Sequence, residues 1–306
     1  MTSPIVLFCY NRLSHLQEVI NSIQKNSLAE ESELYIFSDS FKHEEEKDTV
    51  LAVRKYLKTI TGFKSIHIIE AQSNKGLAQS IISGVSEIVN KYGKVIVLED
   101  DCVVSPYFLD YMNTALDKYQ NDDTVMHING YIPNINSAKI HDTFFISQMC
   151  CWGWGTWKRS WDCFEKKPKK LFSLFDKKMK KRFNFNGQYD LFSQISQNDK
   201  GKIDTWAVFW AATIFLKKGL CLTPKIPLVQ NIGTDSSGTH FSFSTQKYVV
   251  DLHQEPITSF PEKFEESEDA YHALVAFYKS IKLTFWGHIK SKTKKLFSYF
   301  VAIVRH

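Results

Sequence analysis

A chain of 306 residues with 43% hydrophobic and 23% charged residues has the composition of a globular protein and not of a disordered one. Its length allows one large or two ordinary domains, and such a chain buries most of its apolar surface without needing disulfides or metals to fold. The net charge of +5 is unevenly placed: Lys166, Lys167, Lys169, Lys170, Lys177, Lys178, Lys180, Lys181 and Arg182 form one basic cluster, and Lys290, Lys292, Lys294 and Lys295 form another. Each reads either as a solvated face or as a surface drawn to anions.

The N-terminus lacks the basic and then apolar pattern of a signal peptide, and no apolar run approaches the ~20 residues that cross a bilayer, so the expected place of action is the cytosol. The six cysteines show no metal-ligand spacing and read as free thiols.

Residues 4–9 (PIVLFC) form a short apolar run that predicts a buried strand. Ser14 and Gln17 then form a capping-box pattern, and Leu16, Val19, Ile20 and Ile23 give the following helix an apolar face. Leu34 to Phe37 predicts the second strand, ending at Ser38-Asp39-Ser40. Asp48 to Thr59 predicts a helix, Ile66 to Ile69 the third strand, and Ile81, Val85 and Ile88 the next helix after the turn Asn74-Lys75-Gly76. Val95 to Leu98 predicts a fourth strand that runs directly into Glu99-Asp100-Asp101. Strands alternating with helices imply an α/β fold with a parallel sheet, whose ligands bind outside the carboxyl ends of the strands. Asn11-Arg12, Asp39, Asn74-Lys75 and the acidic triplet all fall at such ends.

The second half has longer connections and more aromatics. Trp152-Gly153-Trp154-Gly155 is followed by Trp157 and Trp161, and these indoles suit either sugar stacking or the core. Ile203 to Leu216 predicts an apolar helix with Asp204 near its start. Pro224 to His240 reads as a loop, of which Thr234 to His240 (TDSSGTH) has the composition of a flexible cover over a ligand. From about Glu255 the chain reads as a helical tail.

Three carboxylates in succession at the end of an apolar strand are costly unless a cation or solvent balances them. Their hard oxygens suit Mg²⁺ or Mn²⁺. In this setting Glu99-Asp100-Asp101 resembles the variant DXD motif of GT-A glycosyltransferases, and above all that of the N-acetylglucosaminyltransferase I family. FCYNR (8–12), FSDS (37–40), CWGWGTWKRSW (151–161) and IDTWAVFW (203–210) resemble segments of that family in the same order, and SNKGLAQSI (73–81) is similar to a segment of bacterial family 2 glycosyltransferases. Asn11 departs from the expected Asp, and the membrane anchor of the Golgi enzymes is missing, which points to a bacterial relative.

The resemblance implies a single Rossmann-like GT-A domain over residues 1–255, with a mixed, mainly parallel sheet. Residues 1–105 would be its nucleotide-binding half, 106–255 its acceptor half, and 256–306 a basic amphipathic helical tail. It implies an inverting, metal-dependent transfer of sugar from a nucleotide-sugar, a UDP-sugar by expectation, to an acceptor hydroxyl in bacterial surface polysaccharide or lipopolysaccharide synthesis. Asp101 would bind Mn²⁺ or Mg²⁺, with His240 a second candidate ligand. Arg12, Asp39, Asn74, Lys75, Glu99, Asp100, Trp154, Ser236 and Ser237 would contact the donor, Asp39 through the uracil ring. Asp204 would be the base, with Asp190 and Asp199 as rivals. The expected acceptor is a glycan or lipid-linked glycan, with an anionic membrane surface as partner of the tail and no nucleic acid. Two other readings are a sugar-1-phosphate nucleotidyltransferase, which would want a glycine-rich loop where CYNRLSH has none, and a non-catalytic domain binding a glycan or a membrane.

Overall fold

The computed structural model describes residues 2–233 and 245–282. Its first hundred residues alternate as the apolar runs dictate: β1 (Ile5–Cys9), α1 (Leu13–Gln24), β2 (Glu33–Ser38), α2 (Lys47–Leu57), β3 (Ser65–Glu70), α3 (Leu77–Tyr92) and β4 (Lys94–Glu99). Then follow β5 (Cys102–Val104), α4 (Phe108–Lys118), β6 (Val125–Asn129), β7 (Thr143–Ile146) and β8 (Trp154–Trp157). Four short helices come next, α5 (Lys158–Trp161), α6 (Pro168–Leu174), α7 (Lys177–Phe183) and α8 (Phe192–Asp199), and after them α9 (Ala207–Leu216), β9 (Leu220–Pro224) and β10 (Val229–Asn231). Residues 268–282, here α10, are helical.

Among the described residues, eight strands form one sheet in the order β3-β2-β1-β4-β8-β6-β9-β7. The first four are parallel to one another. β8 runs antiparallel to both β4 and β6, so the sheet is mixed. Strands β1, β6, β8 and β9 are buried along their whole length, as continuous apolar strands covered on both faces must be. One face packs Val19 and Ile20 of α1, Val53 of α2 and Met112 of α4; the other packs Ile81 and Val85 of α3 and Trp210 of α9. This is a three-layered α/β architecture, a mixed sheet between two helical layers. Tyr271, Leu274 and Phe277 of α10 pack with Ile132, Phe144 and Phe185, so α10 lies against the second half of the chain.

Three local expectations are corrected. Ser14 lies inside α1, whose N-cap is Arg12 with no side-chain capping bond, so the capping box does not form. The helix expected from Ile203 begins at Ala207, with Trp206 as its N-cap. Asn198 accepts a hydrogen bond from Thr205 N at 3.0 Å and donates to Thr205 Oγ1 at 2.9 Å, which holds the chain outside the helix there. The loop expected over 224–240 contains β10, which pairs antiparallel with β5 as a separate two-stranded sheet.

Candidate active site

The site is built where β1 and β4 end side by side. Their parallel register sets Phe8 beside Glu99. The next residues on each strand therefore meet: Tyr10 N donates to Asp100 Oδ2 at 3.1 Å. Arg12 Nη2 donates to Asp100 Oδ1 and, at 3.0 Å, to Asp101 Oδ2. Asp100 and Asp101 are 4% and 8% exposed, so two carboxylates have left water and share one guanidinium. Charges taken out of water are sustained only with such partners.

The electrostatics follow from that placement. Burial raises the Asp100 carboxyl to about 6, with Arg12 pulling the other way. Burial, then Asp101 and Asp100, push the Glu99 carboxyl well above the usual carboxylate range, with Arg12 opposing. Burial works against the charge of Arg12, but Asp100 and Asp101 outweigh it and raise its pKa.

Asp101 is gripped from a second side. Asn231 Nδ2 at the end of β10 donates to Asp101 Oδ1 at 3.0 Å, Ile232 N donates to Asp101 O at 2.8 Å, and Gly233 N donates to Asn231 Oδ1 at 2.9 Å. A Cβ on Gly233 would stand 2.4 Å from Asp101 Oδ2 and 2.8 Å from Arg12 Nη1, so no side chain fits there. Asn231 and Gly233 were not singled out from the sequence; their contact with position 101 is created by the pairing of β5 with β10.

Asp39, at the end of β2, has a different part. Its Oδ1 accepts from Ser40 N at 2.8 Å and Lys75 N at 2.9 Å, and its Oδ2 from Gly76 N at 2.9 Å and Asn74 Nδ2 at 3.2 Å. Asn74 Nδ2 also donates to Ser40 O at 2.7 Å. A carboxylate offers about four lone-pair positions; one is used on Ser40 and three on the loop that starts α3. Asp39 thus shapes this loop, where Gly76 takes a φ of 74° that a side chain would strain, and no position is left for the uracil ring. Lys75 is exposed.

Trp154 corrects an expectation. It is 0% exposed, stacked on His127 with ring centroids 5.2 Å apart and on Trp206 at 5.1 Å. As the first side chain of β8, a strand between β4 and β6, it packs under the helical layer of α3 and α9 and has no open face for a sugar. Trp157 and Trp161 are likewise buried, and Trp152 alone of the four is partly exposed, packed edge-on to Tyr131 at 4.5 Å.

Asp204 stands in the loop before α9, exposed and ion-paired with Lys166. Asp190 accepts from Asn184 Nδ2 at 2.9 Å, and Asp199 ends α8 on the surface. Ser236, Ser237 and His240 lie outside the described residues, as does the chain from 283 onward. Among the described residues no three His, Cys, Asp or Glu side chains converge to hold a metal ion. Mg²⁺ and its like are commonly held by one or two carboxylates with substrate phosphates and water, not by an all-protein cage. Asp101, an oxygen donor whose Oδ2 already faces a cation, fits that kind of site.

A family model described as Glycosyl transferase family 2 matches residues 5–187. Over 102 residues the chain is 28% identical to an alpha-1,3-mannosyl-glycoprotein 2-beta-N-acetylglucosaminyltransferase of Arabidopsis thaliana, covering 32% of this chain and only 22% of that relative. Among solved structures it is similar to the mannosyltransferase PcManGT from Pyrobaculum calidifontis in complex with GDP-Man and Mn²⁺, at 10% identity and a TM-score of 0.40, over 71% of this chain and 70% of that one. It is also similar to S. aureus TarS, at 14% identity and a TM-score of 0.33, over 47% of this chain and 25% of that one. The family model covers more than half of the chain, and the chain belongs to glycosyl transferase family 2.

Proposed function

We propose that this glycosyltransferase moves a sugar from a nucleotide-sugar, a UDP-sugar, to an acceptor hydroxyl with inversion at the anomeric carbon. The observation that carries the reading is the meeting of Arg12, Asp100 and Asp101 at the carboxyl ends of β1 and β4, where open α/β sheets bind ligands. Residues 1–105 would hold the nucleotide, the rest of 1–255 the acceptor. Asp101, with His240 as second candidate, would hold Mn²⁺ or Mg²⁺, which supplies charge neutralisation for the leaving diphosphate. Glu99 and Asp100 would take the sugar and ribose hydroxyls. Lys75 would meet the phosphates, with Ser236 and Ser237 closing over the donor, and Asn74 and Asp39 would keep the loop before α3 in shape. The acceptor oxygen attacks the anomeric carbon as Asp204 takes its proton, and the nucleoside diphosphate leaves.

The acceptor class that fits is a glycan or lipid-linked glycan of a bacterial surface polysaccharide or lipopolysaccharide, met at the inner face of the cytoplasmic membrane. No helix among the described residues is long and apolar enough to cross a membrane. The last residues combine Lys290, Lys292, Lys294 and Lys295 with Leu296, Phe297, Tyr299 and Phe300, a composition suited to an anionic lipid interface.

The test is a transfer and hydrolysis screen with UDP-, GDP- and dTDP-sugars, with and without Mn²⁺. UDP-sugar turnover that needs the cation is expected, and Asp101→Asn should abolish it while the protein stays folded. Asp204→Asn should cut turnover by ~10²–10⁴-fold, the scale of a lost general base. Full activity in excess EDTA would overturn the metal assignment, and a retained anomeric configuration in the product would overturn the role of the base.

A further inference from the structure

We propose that Arg12 is a displaceable counter-ion: without a divalent cation its guanidinium neutralises Asp100 and Asp101, and cation binding releases it to the donor diphosphate. The inference rests on the metal-dependent reading above and adds to it a coupling between cation and nucleotide.

The oxygens decide the matter. Asp101 Oδ1 is already engaged by Asn231 Nδ2 at 3.0 Å and lies 3.6 Å from Cys102 Sγ. Oδ2 is therefore the oxygen open to a cation, and it is the oxygen that Arg12 Nη2 holds at 3.0 Å. A guanidinium and a divalent cation on one carboxylate oxygen repel each other, so the two states exclude one another. The carboxylates are the fixed partners. Asp100 is held by Tyr10 N, Asp101 by β10, and both are buried.

Arg12 is the partner free to move. Its side chain is 24% exposed, against 5% for that of Asp100 and 12% for that of Asp101. Gly233 is what admits the guanidinium beside the carboxylates, since a Cβ there would lie 2.8 Å from Nη1. A guanidinium released there is a planar fork of donors at the edge of the donor site, the group that pairs bidentately with phosphate oxygens. Without a cation, two buried carboxylates keep it; with one, a diphosphate gives it a new partner. Each ligand then raises the affinity for the other by the same factor.

The experiment is Mn²⁺ binding to the full chain, followed by electron paramagnetic resonance and by calorimetry, with and without UDP. It compares the wild type with Arg12→Met and Arg12→Lys. Without UDP, Arg12→Met should bind Mn²⁺ about ten-fold more tightly than the wild type, because the competitor is gone. UDP should strengthen Mn²⁺ binding strongly in the wild type and much less in Arg12→Met. Should Arg12→Met fail to fold, Arg12→Lys decides: losing the fork that spans both carboxylates, it should also bind Mn²⁺ more tightly than the wild type. Equal or weaker Mn²⁺ binding by the folded variants would overturn the proposal, as would failure of the wild type to bind Mn²⁺ even with UDP. Sugar transfer by the wild type in Mn²⁺ is measured beside it, so that active enzyme with unchanged variant affinities overturns the displacement alone, and inactive enzyme overturns the function.

Discussion

Acidification should weaken this fold through one buried imidazole. His127 on β6 is 0% exposed. Its Nδ1 accepts from Trp210 Nε1 at 3.1 Å and its Nε2 donates to Cys150 O at 3.2 Å, so the ring is the neutral tautomer with both nitrogens in use. A second proton on Nδ1 would face the indole N–H, donor against donor. Burial accordingly lowers the pKa from 6.5 to about 3, although the Cys150 bond opposes it. The folded state thus binds fewer protons than the unfolded chain between those values. The stability that the neutral ring contributes is complete above the unfolded pKa and declines as the pH falls below it. From about pH 7 to about pH 5 the loss amounts to ~2 kcal/mol, at 1.36 kcal/mol per unit over the roughly 1.5 units crossed. Asp100 acts in the opposite direction: its carboxyl is raised to about 6, so its contribution is lost as the pH rises through that value. The comparison is therefore between the wild type and His127→Gln, which can both accept and donate but does not titrate. Urea unfolding followed by tryptophan fluorescence at the two pH values should show a drop about 2 kcal/mol larger in the wild type. Equal drops in the two proteins would refute the assignment of a neutral, buried His127.

Four further outcomes are expected. Gly233→Ala should force Asp101 or Arg12 to shift, costing about 1–3 kcal/mol as overpacking does; thermal melts should also show stabilisation by UDP with Mn²⁺ reduced, and an unchanged response counts against the clamp. Asp39→Asn replaces an acceptor by a donor before the N–H groups of the 74–76 loop, so calorimetry should find weaker UDP binding and unfolding a loss of ~1–3 kcal/mol. Trp154→Ala should lose about 3–5 kcal/mol in urea as a core deletion does, whereas a stable protein with only a raised donor KM would restore sugar stacking. A chain ending near Lys282 should sediment less with anionic liposomes than the full chain at low salt, and equal sedimentation removes the tail as anchor.

The first four strands and three helices were legible because each is a contiguous apolar run or a stripe at helical spacing, and both signals are local. The polar strand ends were legible for the same reason. What the strand-end reading could not supply was the partner of each group. Asp39 is an acid after a strand in either reading, and only the fold shows its four acceptor positions spent on Ser40, Asn74, Lys75 and Gly76. Asn231 reaches Asp101 across 130 positions through one strand pair, a separation at which no periodicity speaks. For Trp154 the sequence leaves sugar stacking and the core both open, because an indole suits either. β8 passes through the middle of the sheet, sending Trp154 into one helical layer and Trp157 into the other.

The two-stranded clip of β5 and β10 also has a bearing on how the chain tolerates change. Ser105 N donates to Leu228 O at 2.8 Å, so the long excursion of residues 106–227 leaves and returns at one point, beside Asp101. Those turns of the excursion that stand clear of the sheet, such as the connections among α6, α7 and α8, can lengthen, shorten or exchange sequence while the clip holds its ends in register. The register of Cys102 with Asn231 is set by three residue pairs and not by the path between them. The contact of Asp101 with Asn231 therefore depends on the clip and not on the length of those connections.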